Sequence, residues 1–104
     1  MANNYKNAKI DLTNTDLTSV ITTANKSTVI IKSMIASEDA GSTPSLTLVN
    51  GSNIFNLYKD KAFTSKQTLE LLTQPLVLNS GEILKAQSSA GNQLHIVVSY
   101  LEIT

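Results

Sequence analysis

A chain of 104 residues without cysteine has room for one core, expected as a single domain over residues 1–104, and must hold it by packing, without disulfides or thiolate metal sites. Its eight basic residues are all lysine and are balanced by eight acids, which excludes the clustered, arginine-bearing face that nucleic acid recognition favours. Charged residues are 15 % of the chain against about 25 % in ordinary domains, so Ser, Thr and Asn dominate the surface and little repulsion keeps copies apart.

The opening, "MANNYKNAKID", has no apolar signal region, and no later run approaches the 18 or so apolar residues of a membrane span. The expectation is a protein made in a cytoplasm with no membrane partner. "KIDL" then places Ile10 and Leu12 on one face, a period of two that reads as a strand. "TNTDLTSVITTA" is the one stretch with a brief helical option, which its β-branched residues oppose. In "STVIIKSMIAS" the alternation puts Val29, Ile31 and Ile35 on one side, with Lys32 and Met34 opposite.

"PSLTLVNGSNIFNLYKD" aims Leu46 and Leu48 one way, turns at Asn50-Gly51 and returns with Phe55 and Leu57; Asn-Gly tolerates the positive φ that a tight hairpin demands. Strands follow at "TLELL", "PLVL", "EILKAQSS" and "QLHIVVSYLEI", separated by "TQP", "NSG" and "SAGN", all turn chemistry. About eight short strands with turns every 8 to 12 residues or so predict an all-β fold, a single antiparallel β-sandwich of jelly-roll-like character.

No chemical constellation accompanies this pattern. Glu82 follows Gly81 in "NSGEIL" without a second acid or histidine beside it, so it reads as a turn residue rather than a general acid. His95 is the single histidine and has neither a spaced ligand set nor a nucleophile elbow around it. Glu38 and Asp39 in "SEDAGST" are two carboxylates where calcium takes 6 to 8 oxygens, and they read as a solvated loop. Lys59, Asp60 and Lys61 in "YKDKAF" read as a charged strand end. The sequons at Asn25 and Asn50 carry no weight in a chain so rich in Ser and Asn. Catalytic residues, metal ligands and cofactors are therefore expected to be absent.

One departure from simple alternation points to partners. In the last strand Leu94, Ile96, Val98 and Tyr100 share one face, while Val97, Leu101 and Ile103 occupy the other. Ile30 and Met34 pose the same surplus on the earlier strand. An isolated sandwich needs one apolar face per strand, so the second must meet a loop, another element or another subunit; Ile30, Met34, Val97, Leu101 and Ile103 are the expected contact residues, with coverage by the chain's own N-terminal segment as the alternative. The alternative function is a carbohydrate-binding module for host-surface glycans, stacking sugar on Tyr58 or Tyr100.

The run "TLELLTQPLVLNSGEILKAQSSAGNQLHIVVSYLEI", with "STVIIKSMIAS" and "NNYKNAKIDLT", resembles small virion structural proteins of tailed bacteriophages over nearly the whole chain. The shared features are strands and turns rather than a catalytic motif. Many relatives carry a tyrosine and a proline before the third strand, where this chain reads "VITTANKST", which leaves the limits of the second strand open. The resemblance implies a β-sandwich present in many copies as head decoration or as part of the neck, tail or baseplate. It also implies no enzymatic role, self-association that is often threefold, contact with a larger major capsid, neck or tail protein, and a location in the virion.

Overall fold

The computed structural model describes residues 3–38, 44–50, 55–72, 74–92 and 94–104, and between 55 and 60 only the side chain of Leu57. Among these residues nine strands form: β1 (Asn3–Leu12), β2 (Thr18–Thr22), β3 (Thr28–Glu38), β4 (Ser45–Asn50), β5 (Phe55–Ala62), β6 (Thr68–Glu70), β7 (Leu76–Leu78), β8 (Ile83–Ser88) and β9 (Leu94–Ile103). All pair antiparallel, in a five-stranded sheet ordered β1-β9-β3-β6, with β7 also on β3, and a four-stranded sheet ordered β2-β8-β4-β5. The all-β antiparallel sandwich is thus the fold. The ninth strand is β2, in the stretch whose composition left a helix open; its β-branched residues pair with β8 instead.

Burial follows the period of two. Leu94, Ile96 and Val98 on β9 face Leu12 on β1 and Met34 and Ala36 on β3, and together they meet Ile21, Leu46, Leu48, Leu84 and Ala86 of the smaller sheet. Phe63 and Leu71, just outside strands, plug the core. The chain exposes 5845 Å², close to the roughly 5,700 Å² expected for a folded protein of this mass. Its core residues are 0–6 % exposed, so the apolar side chains left outside are a surplus rather than a gap.

β3 departs from the sequence alternation. Ile31 pairs with Tyr100 but Ser33 with Ser99, so Lys32 is an extra residue, a β-bulge that inverts the phase of the rest of the strand. Met34 consequently points into the core at 1 % exposure, and Ile35 takes the outward position. The expectation of Met34 as a contact residue is corrected on this ground. The hairpin at Asn50-Gly51 is wider than a two-residue turn, because the last pair is Asn50 with Phe55; residues 51–54 lie outside the described residues.

Two turns fix how the strands enter the sheets. Gly81 has φ 82°, a left-handed conformation that glycine adopts without a Cβ penalty. The turn is closed by the Glu82 amide donating to the Asn79 carbonyl (3.0 Å) and the Asn79 amide donating to Glu82 Oε1 (2.6 Å). Gly91 precedes β9 and approaches the end of β1 so closely that a Cβ there would lie 2.7 Å from the Thr13 carbonyl oxygen. The Asn92 amide donates to the Leu12 carbonyl at 2.8 Å, locking the start of the β1–β9 register.

Candidate docking face

The outward face of the five-stranded sheet is assembled from residues far apart in sequence. Register pairs Tyr5 with Leu101, Leu101 with Ile30, and Ile30 with Val77. Four strands thus contribute one continuous apolar row, crossing the sheet at right angles to the chain. Tyr5 is 79 % exposed and Val77 48 %, while Leu101 and Ile30 between them are half-buried by their neighbours.

A second row lies nearer the other end of the sheet. Lys9 pairs with Val97, Val97 with Ile35, and Ile35 with Glu70. Val97 and Ile35 are 40 % and 37 % exposed, so an apolar pair is flanked by a cation at the β1 edge and an anion at the β6 edge. Asn7, Ser99 and Ser33 form a low polar row between the two. That row floors part of a shallow trough of about 380 Å³ bordered by Tyr5, Lys6, Lys32 and Tyr100.

A polar row closes one end. Asp11, His95, Ser37 and Thr68 are aligned across the strands, with His95 Nε2 3.3 Å from Asp11 Oδ1 and the Ser37 and Thr68 hydroxyls 3.2 Å apart. At the other end Asn3, Ile103 and Thr28 align. Of the residues expected to make contacts, Ile30, Val97, Leu101 and Ile103 therefore share this face, and Met34 does not. Tyr5, Ile35 and Val77 were missed. Their signal is the cross-strand register, which no local stretch of sequence carries.

The edge strand β1 is a poorer docking element than the face. Lys6 and Lys9 stand along it, and charged edges discourage pairing with another chain. Lys6 donates to Glu102 Oε1 at 2.8 Å, and that hydrogen bond, with the attraction of the carboxylate, raises the Lys6 pKa above its ordinary value.

The remaining sequence candidates have structural duties. Glu38 ends β3 buried at 2 % exposure, not solvated as its loop-like surroundings suggested. Its Oε1 accepts the Lys66 amide at 2.7 Å and its own amide donates to the Gln67 carbonyl, which clamps the Thr64–Gln67 turn to the sheet. Asp39 and the side chains of Tyr58, Lys59 and Asp60 lie outside the described residues. Tyr100 packs against the core while bordering the trough. On the smaller sheet, a recess of about 300 Å³ is lined by Thr15, Ser45, Thr47, Gln87, Ser88 and Ser89. Among the described residues no titratable side chain lines it, and Gln87 Nε2 donates to the Thr15 carbonyl at 2.9 Å. Among the described residues no group of three or more His, Asp or Glu is placed to hold a metal ion.

No protein-family model matches this chain, and no curated protein does. Among solved structures, the chain is similar to a chain of the acid-stable capsid of the Helicobacter pylori bacteriophage KHP30. The TM-score is 0.61 at 9 % identity, over 100 % of this chain and 94 % of that one. It is also matched, at a TM-score of 0.42 and 13 % identity, to a chain of the extra small virus VLP from the giant freshwater prawn Macrobrachium rosenbergii. That match covers 97 % of this chain and 80 % of the other. The first likeness is one of fold; the second is too distant to carry an argument.

Proposed function

We propose that the chain is a non-enzymatic structural subunit of a tailed-bacteriophage virion, present in multiple copies and docked through the outward face of its five-stranded sheet. Its partners are copies of itself and a larger capsid, neck or tail protein. The observation that carries this reading is the apolar row Tyr5–Leu101–Ile30–Val77, left in water by a chain whose core residues are already buried. Apolar burial contributes about 25 cal/mol per Å², so covering such a row supplies several kcal/mol towards the cost of association. The fold it shares with a phage capsid chain over nearly the full length of both supports the same reading, as does the resemblance carried by its strands and turns.

Two measurements test it. Mass determination across a concentration series is expected to show self-association. Mass spectrometry of purified particles is expected to find the chain at many copies. A strict monomer at high concentration that also ignores purified virion components overturns the proposal. Leu101→Asp places a charge in the middle of the row and is expected to weaken assembly while the β-sheet circular dichroism signal survives.

A second reading, a module for host-surface glycans, draws on the trough beside Tyr5 and Tyr100 with Asn7 and Ser99 on its floor. Glycan-array binding that disappears in Tyr100→Ala would favour it, and silence across broad arrays would leave the first reading alone.

A further inference from the structure

We infer that the occupant of the outward face is a second copy of this chain, related by a two-fold axis that runs along the strands between β9 and β3. This rests on the docking reading above and specifies its partner and geometry. A two-fold contact brings the same patch together twice, so each residue i that meets j is answered by j meeting i. The face satisfies this condition when rotated about that axis.

Rotation about an axis parallel to the strands exchanges the β1 edge with the β6 and β7 edge and keeps every row facing itself. In the charged row, Lys9 of one copy comes over Glu70 of the partner subunit, and Glu70 over Lys9 of the partner subunit. Val97 and Ile35 meet between them. In the apolar row, Tyr5 covers Val77 and Leu101 covers Ile30. In the polar row, Asp11 meets the hydroxyl of Thr68 and His95 that of Ser37. In these three rows apolar groups meet apolar groups, Lys9 meets Glu70, and no charge lands on an apolar side chain.

The competing two-fold, perpendicular to the strands, exchanges the rows instead. It lays Lys9 on Tyr5 and Glu70 on Val77, burying unpaired charges on apolar groups, which is strongly unfavourable. The antisymmetric placement of Lys9 and Glu70 therefore selects the axis. Within one chain these two residues are three strand spacings apart, about 14 Å, so they cannot satisfy each other. Lys32, at the bulge on the border of the trough, comes over Ser99 of the partner subunit in the middle row.

The dimensions suffice. Four strands and some 30 Å along β9 give roughly 550 Å² per copy, about 1,100 Å² in all, just past the 1,000 Å² or so at which specific interfaces begin. Aligned sheets pack with their strands about 30° apart, and a lysine is long enough to reach a carboxylate across that offset. The contact is of modest size, so it is expected to be concentration-dependent and to weaken with salt.

The decisive experiment is a charge exchange on the full chain, read by sedimentation equilibrium. The unsubstituted protein is expected to form a dimer, and Lys9→Glu and Glu70→Lys are each expected to weaken it at least tenfold. Mixing the two variants in equal amounts is expected to produce a 1:1 heterodimer, because both cross-contacts are then opposite in sign, and the double exchange K9E/E70K is expected to restore the homodimer. Lys9→Gln and Glu70→Gln, which carry no repulsion, stand in for any exchange that lacks the native circular dichroism spectrum, and each is expected to weaken the dimer less. A trimer, a monomer up to millimolar concentration, or a mixture that stays dissociated overturns the two-fold. A monomer that nevertheless binds purified particles overturns the two-fold alone, whereas a dimer with the exchange pattern that is absent from particles overturns only the virion reading.

Discussion

Ile96 and Val97 are neighbours on β9, and each is paired across to an apolar residue of β3, Ala36 and Ile35. One is fully buried and the other 40 % exposed. The two faces of the same strand pair are therefore built from the same kinds of side chain and differ in what covers them. On the inner face the smaller sheet supplies the cover, and the side chain works for the stability of the chain. On the outward face nothing among the described residues does, and the same aliphatic groups stand in water.

The contrast is broken most directly at Ile96. Ile96→Ala removes three carbons from a fully packed site, and about 2–5 kcal/mol of unfolding free energy is expected to be lost, measured by denaturant titration. A loss below about 1 kcal/mol would mean the inner face is no better packed than the outer. Next comes Gly91→Ala, at the turn that sets the β1–β9 register on which both faces depend. The added methyl meets backbone rather than a movable side-chain end, so a cost of about 1–3 kcal/mol is expected, with loss of hydrogen-exchange protection beginning at Leu12 and Leu94.

The inner face was legible in the sequence because burial imposes a period of two, and Leu94, Ile96, Val98, Leu46 and Leu48 announce it without help from elsewhere. The outward face was half legible. Val97, Leu101, Ile103 and Ile30 stood out as surplus apolar residues, but Met34 and Ile35 exchanged roles because the bulge at Lys32 has no residue requirement that marks it in the chain. Tyr5 and Val77 belong to the face only through pairings 96 and 47 positions away along the chain, and a local pattern holds no trace of such partners. Glu38 was misjudged for a related reason. A carboxylate between a strand and a polar loop reads as solvated until the Lys66 amide, 28 residues on, is seen to be its partner.

Val97→Thr sharpens the contrast from the outside. The change is close to isosteric and places a hydroxyl where water already reaches, so unfolding free energy is expected to move by no more than about 0.5 kcal/mol. Self-association is expected to weaken, since the hydroxyl of a Thr is desolvated without a partner when Val97 meets Ile35 of the partner subunit. A stability loss as large as that of Ile96→Ala would show that the outward pair belongs to the core after all.

The smallest effect is expected at the rim, where Lys6 meets Glu102. The pair is exposed, so its attraction is screened and its worth is slight, but its sign is defined. The lysine pKa is raised above 10.5 in the folded chain, first by its hydrogen bond to Glu102 and then by the attraction of that carboxylate. A group whose pKa rises on folding stabilises the fold while both states hold the proton, and that contribution disappears as pH climbs past the unfolded and then the folded value. The melting temperature is therefore expected to fall slightly more steeply above pH 10.5 or so in the unsubstituted chain than in Lys6→Met, with the two curves parallel below pH 9 or so. Curves that stay parallel up to pH 12 or so would mean that the contact is not maintained in solution, and that this end of β1 is held by its ladder with β9 alone.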